Sequence, residues 1–75
     1  MYIILTVKNT SANCKAAEQA VDDLRDEYGY FEGLQRVASV DGGLIVYIID
    51  VPHTLLYQED VQRIVGSINV LVVGG

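Results

Sequence analysis

A cysteine and a histidine are the residues of this chain whose side chains most readily bind metals or act as nucleophile and base. Cys14 and His53 are the single members of their types. Each of them lies near the start of a predicted helix, and in a βαββαβ topology the two helix starts are at or near opposite ends of the sheet. We therefore expect no catalytic Cys–His dyad. Gly42-Gly43 belongs to a hairpin, not to a phosphate-binding loop before a helix. We therefore predict a protein that is not an enzyme, with no catalytic residues and no cofactor.

Acidic residues are the next group that could carry a function. Ten Asp and Glu residues against five Lys and Arg residues give a net charge of −5 at pH 7. A field of this sign repels phosphate backbones, so we predict no direct binding to nucleic acid. The acids between residues 18 and 27 are spaced as a solvated helix face, and the same face could dock a basic protein. Its candidate partner-binding residues are Asp22, Asp23 and Asp26. Asp50, at the end of the third predicted strand, is a lone candidate for a functional carboxylate. Without a partner residue it supports no catalytic mechanism.

The segment from Val7 to Ala17 resembles the metal-binding loop of heavy-metal-associated domains. In those domains a Cys-x-x-Cys pair, placed between the first strand and the first helix, binds copper or another soft cation. Cys14 matches the second cysteine, while Ser11 stands at the position of the first and Thr10 at that of the preceding methionine. The resemblance implies a βαββαβ domain. It also gives one alternative function, a degenerate metal domain in which Cys14 is the remaining candidate ligand.

The ending Leu71–Gly75 looks like the di-glycine tail of ubiquitin-like and sulfur-carrier proteins. The terminal carboxylate of such proteins is adenylated and conjugated. They usually place a β-hairpin before their first helix, whereas residues 9–13 are too few for another strand here. A carrier that uses Gly74-Gly75 is a second alternative function.

Hydrophobic periodicity predicts four strands and two helices. Alternation and β-branched residues indicate the strands, the third of which is the longest apolar run and ends before Pro52. The second strand is the most polar, which favours a sheet edge. Asp41-Gly42-Gly43 is the strongest hairpin signal. The predicted strands are Tyr2–Lys8, Leu34–Val40, Gly43–Val51 and Ile68–Val73.

The first helix is expected over about Ala12–Tyr28, with Ser11 or Asn13 as its N-cap and Gly29 as its C-cap. Its apolar stripe is rich in alanine, which lets a helix approach a sheet closely. The second helix begins between Thr54 and Gln58 and ends at Gly66.

The order βαββαβ, with a single central hairpin, predicts a four-stranded antiparallel sheet with both helices on one face. This is the ferredoxin-like α+β sandwich, formed by one domain over residues 1–75. The other face of the sheet should then be polar, but both faces of the third strand are apolar. An apolar open face of this kind marks an association surface. Its middle is either Val46 or Tyr47, and we take Tyr2, Ile4, Tyr47 and Ile49 as the partner-binding candidates.

These observations favour a small acidic protein-interaction module, an inhibitor or adaptor that binds a protein partner, such as a basic protein, or a second copy of itself. Phage-encoded antagonists such as anti-CRISPR proteins are one class of this size and charge. Association would use the sheet face or the acidic first helix. The single cysteine is typical of a reducing compartment. Because the chain shows neither a signal sequence nor an apolar run of roughly 18–20 residues, we expect a cytoplasmic protein that does not bind membranes.

Overall fold

The computed structural model describes residues 1–29, 31, 33–52 and 56–74. The strands form one antiparallel sheet in the order β2-β3-β1-β4, and the two helices follow β1 and β3. The predicted ferredoxin-like arrangement is confirmed. The elements are β1 (Tyr2–Lys8), α1 (Ser11–Tyr28), β2 (Gly33–Ala38), β3 (Leu44–Asp50), α2 (Gln58–Val65) and β4 (Asn69–Val73).

The first helix begins one residue earlier than predicted because Thr10 is its N-cap. The backbone of Thr10 is extended, and its hydroxyl accepts a hydrogen bond from the Asn13 N–H at 3.2 Å. The prediction of Ser11 or Asn13 as the cap is therefore wrong. Gly29 is confirmed as the C-cap: its φ is 83°, and its N–H donates to the Arg25 carbonyl at 2.7 Å.

The second helix begins at Gln58, the later limit of the predicted range, and Gly66 ends it with a φ of 69°. Thr54 and His53 lie outside the described residues, as does Gly75. A helix start near Thr54 is wrong, because Tyr57 has an extended backbone and is the N-cap of α2. The expectation for His53 stays a prediction.

The central hairpin is longer than Asp41-Gly42-Gly43, because a side chain replaces one backbone acceptor where the two strands meet. The Ser39 N–H still donates to the Leu44 carbonyl at 3.0 Å, but the Leu44 N–H donates to the Ser39 hydroxyl at 3.0 Å. The Asp41 carboxylate accepts from the Ser39 hydroxyl at 2.7 Å and from the Gly43 N–H at 2.9 Å. The Gly42 N–H donates to the Ser39 carbonyl at 2.9 Å. Such local bonds compete with strand pairing. As a result β2 ends at Ala38, and β3 starts at Leu44.

One face of the sheet and the two helices enclose the core. Ile3 and Leu5 of β1 are fully buried there, and the small side chains of Ala17 and Ala20 on α1 permit close helix–sheet contact. Leu24, Val61 and Val65 fill the space between the helices and the sheet. All six residues of β2 are exposed. On the covered face, the helices therefore lie over β1, β3 and β4 and leave β2 uncovered.

The two edges of the sheet differ in whether a side chain bonds their outer backbone groups. In the antiparallel ladder, Val70 and Val72 point their backbone groups away from β1, toward the outer edge of β4. The Gln58 side chain occupies that edge: its Nε2 donates to the Val70 carbonyl at 2.7 Å, and its Oε1 accepts from the Val72 N–H at 2.8 Å. The side-chain amide thus replaces the backbone amide of a fifth strand. Among the described residues, no comparable side chain covers the outer backbone groups of β2.

Gln58→Ala should lower the free energy of unfolding by about 1–2 kcal/mol, because two hydrogen bonds are lost at a solvated edge. Urea unfolding monitored by circular dichroism measures this change. Glu59→Ala, on the same helix turn, is the matched control and should change stability by only about 0.5 kcal/mol. Equal effects of the two substitutions would contradict the role given to Gln58.

Candidate interaction surface

The register of the strands decides which side chains share the open face. Ile4 lies opposite Ile48 on β3 and opposite Leu71 on β4. Directly paired residues point to the same side of a sheet. Because Ile3 and Leu5 face the helices, Ile4 and its partners face away from them. Tyr2 joins this side, between Asp50 on β3 and Val73 on β4.

The prediction that Tyr47 and Ile49 share a face with Tyr2 and Ile4 is wrong. Tyr47 pairs with Leu5 and is 2% exposed, and Ile49 is fully buried. Both lie under the helices. The side-chain period of a strand is two residues, so Tyr47 and Ile49 cannot accompany the even-numbered residues of β1 in this register. Of the two residues that the sequence allowed at the middle of the open face, Val46 and Tyr47, the structure places Val46 there.

The open face carries a continuous apolar patch that no described element covers. Its middle row crosses three strands through Ile48, Ile4 and Leu71, and the side chain of Leu71 is 55% exposed. Four strands about 4.8 Å apart and up to seven residues long make a face of roughly 20 Å by 20 Å. The patch consists of eight side chains: Tyr2, Ile4, Val37, Leu44, Val46, Ile48, Leu71 and Val73.

Two charged residues lie on the described part of this face, and their signs are opposite. Lys8 is at one end of β1, next to Leu44. Asp50 is at the other end, between Tyr2 on β1 and Gly33 on β2. The side chains on the described part of the face therefore sum to no net charge, although the whole chain carries −5.

A shallow depression of about 180 Å³ lies at the Asp50 end of the face. It exists because Gly33 has no side chain at that point, directly across from Asp50. The remaining walls are formed by Tyr2, Gln35 and Ile48. The depression combines the apolar surfaces of Tyr2 and Ile48 with the Gln35 amide and the Asp50 carboxylate.

The acidic candidates occupy the other side of the molecule. Asp22, Asp23 and Asp26 lie on α1, which packs on the covered face of the sheet. Asp22 forms an exposed ion pair with Arg25 at 3.9 Å, and Asp23 accepts a hydrogen bond from Gln19 at 3.0 Å. Exposed pairs of this kind contribute little to stability. The two surfaces that the sequence suggested are thus separated by the sheet and cannot bind one small partner together.

A second concave region, of about 440 Å³, separates α1 from the exposed strand β2. Tyr47 lies at its base, and its hydroxyl is buried without a hydrogen-bond partner among the described residues. The guanidinium of Arg36 lies 5.9 Å from the centre of the Tyr47 ring. Burial raises the pKa of Tyr47 above its ordinary value of 10.0, and the nearby Cys14 thiol adds to this shift. The groove is lined by Glu18, Val21, Asp22, Arg25, Leu34, Arg36 and Tyr47.

Cys14 lies in the first turn of α1 and is half-buried. Its Sγ is 3.8 Å from the Asn9 Oδ1 and 3.8 Å from an amino nitrogen of Arg36. The guanidinium would repel a cation bound to this sulfur. Within the described ranges, no three His, Cys, Asp or Glu residues come close enough to hold a metal ion. The proposal of Cys14 as a soft-metal ligand therefore gains no second ligand here.

Comparisons with protein-family models, curated proteins and solved structures gave no match. In the part of the chain that the structure describes, no helix is both long and apolar enough to cross a membrane.

Tyr47→Phe should leave stability at neutral pH unchanged or raise it by about 1 kcal/mol, because the hydroxyl that it removes is buried and unpaired. The raised pKa of Tyr47 stabilises the fold below pH 10.0, and this contribution is lost as the pH rises through the folded-state value. The variant should therefore lose less stability than the parent above pH 10.0. Urea unfolding at neutral pH and above pH 10.0 measures the change in stability and its dependence on pH.

Tyr57→Phe is the control for that experiment, since Tyr57 is exposed. It should match the parent at neutral pH within about 0.5 kcal/mol. A loss of more than about 1 kcal/mol in Tyr47→Phe would show instead that the hydroxyl has a hydrogen-bond partner.

Proposed function

We propose that this chain is a non-enzymatic protein-interaction module, of the inhibitor or adaptor type, that binds through the open face of its sheet. The observation that carries the proposal is the patch of eight apolar side chains on a face that no described element covers. Apolar patches of this extent on small proteins mark interaction sites. Removing apolar surface from water contributes about 25 cal/mol per Å², and the affinity is what is left after the entropy of association and of side-chain ordering is subtracted.

The middle of the patch is suited to supply most of the binding energy. Ile4 and Ile48 are half-buried by their own neighbours, so they offer a partner a fixed apolar surface in the middle of the patch. Leu71 projects further from the adjacent strand and offers the largest fraction to a partner. A central apolar cluster with a polar border is the usual anatomy of a protein interface. Here Thr6, Gln35 and Asn69 supply polar positions around the cluster.

The acidic side of α1 fits a supporting role. Its carboxylates are exposed, and charges of this kind change the rate of encounter more than the final affinity. They would attract a basic partner from a distance, while the apolar face supplies the contact. The single cysteine supports a reducing compartment, and we propose the cytoplasm as the place of action.

Leu71→Lys should weaken binding to a partner at least tenfold, because it places an ammonium group in the middle row of the apolar contact. Stability should change little, since Leu71 is already exposed on the surface. The measurement compares the parent and the variant as immobilised baits for proteins from the source cells. Val40→Lys is the matched control, because Val40 is fully exposed in the hairpin, away from the face.

The triple variant Asp22→Asn, Asp23→Asn and Asp26→Asn separates the two candidate surfaces. We expect it to slow capture without abolishing it. Capture that survives Leu71→Lys and disappears in the triple variant would assign the partner to α1 and refute the role of the sheet face.

A further inference from the structure

The depression beside Asp50 has the chemistry of a socket for a lysine side chain. Tyr2 and Ile48 offer apolar walls for an aliphatic stem, and the Asp50 carboxylate offers the opposite charge for an ammonium group at its end. Lysine buries its stem in this way while keeping its charged end paired or hydrated. Across the strand from Asp50, Gly33 leaves the entrance open.

The same face carries a lysine at the position that such a socket requires. Lys8 and Asp50 lie on neighbouring strands at opposite ends of the face, because Lys8 pairs with Leu44 and Asp50 pairs with Tyr2. Six residues at about 3.3 Å each separate the two ends by roughly 20 Å. Lys8 therefore cannot reach the Asp50 of its own chain.

We infer that a second copy of this chain covers the open face, with Lys8 of each copy in the socket beside Asp50 of the other. The inference rests on the proposed function and names the partner of that same surface. It requires a two-fold axis that lies between the two sheets and runs across the strands. Such an axis reverses the strand direction, so that the Lys8 end of one face lies over the Asp50 end of the other.

The distances permit this contact in both directions at once. After the rotation, Lys8 of one copy lies over the β1 strand of the other, one strand from Asp50, a shift of about 4.8 Å that a lysine side chain can span. Stacked sheets pack about 10 Å apart with their strands within about 30° of each other. The alternative axis, parallel to the strands, would bring the two Lys8 ends together, and like charges would oppose it.

The charge distribution of the chain also favours a second copy over a basic protein at this face. Seven of the ten acidic residues lie on α1 and α2. Face-to-face pairing of the sheets puts these helices on the two outer surfaces, as far apart as the assembly allows. A basic partner would gain no electrostatic attraction at the open face itself, because Lys8 and Asp50, the charged residues on its described part, have opposite signs.

Sedimentation equilibrium over micromolar concentrations tests the inference with charge reversals. The parent chain should form a dimer. Lys8→Glu alone and Asp50→Lys alone should each weaken the dimer roughly tenfold, because each puts like charges together twice per dimer. The double variant Lys8→Glu, Asp50→Lys should restore dimerisation to near the parent value. Restoration also proves that the substituted positions allow folding.

Two further variants fix the geometry. Gly33→Val fills the socket and should weaken the dimer, although the added Cβ makes an ordinary contact 3.9 Å from the Asp50 Cβ. Leu34→Pro blocks pairing of the β2 edges, because the Leu34 N–H points away from β3. It should leave the face-to-face dimer intact. A dimer lost in Leu34→Pro and kept in the charge variants would show edge-to-edge pairing and overturn the inference.

A parent chain that stays monomeric overturns the inference but not the proposed function. In that case capture of another protein, lost in Leu71→Lys, would still assign the sheet face to a different partner. A dimer that is unaffected by Leu71→Lys would overturn both. A dimer sensitive to Leu71→Lys but not to either charge reversal would retain the interface and refute the contact between Lys8 and Asp50.

Discussion

A four-stranded sheet with two helices on one side has more apolar surface than its helices can cover, and this constraint shapes the whole molecule. The side chains of a strand alternate between the two faces of the sheet. β3 is apolar on both faces, so whichever face the helices take, isoleucine and valine remain on the other. Among the described residues nothing covers them. The apolar face without a helix over it is thus a direct consequence of the core strand.

The chain separates apolar and charged surfaces to opposite sides of one thin sheet. The acidic residues of α1 and α2 keep the helix side hydrated, and the described part of the open face holds one cation and one anion at its ends. A net charge of −5 opposes non-specific association between copies. The Gln58 side chain adds to this specificity, since it occupies the outer edge of β4 and leaves pairing by strand addition to β2.

Local chemistry made most of the fold predictable. The hairpin glycines, Pro52 and the glycines after each helix gave the element order, and a single hairpin in that order left one reasonable topology. The errors were at places where side chains compete with the backbone. Thr10 caps α1 in place of its neighbours, and the Ser39 hydroxyl accepts the Leu44 N–H hydrogen bond at the start of β3. Several residues near each site could make such bonds, and only the final backbone geometry selects among them.

The sequence by itself determined the element order, the edge position of β2 and the existence of an apolar face without a helix to cover it. It could not determine which side chains form that face, because Ile45, Tyr47 and Ile49 are as apolar as Leu44, Val46 and Ile48. The tertiary structure decided this through the register, which pairs Ile4 with Ile48 and buries Tyr47 beside Leu5. It also placed Lys8 and Asp50 at opposite ends of one face. The alternation within one strand shows which of its residues share a face. Which face of the neighbouring strand lies beside it is decided only when the two strands pair.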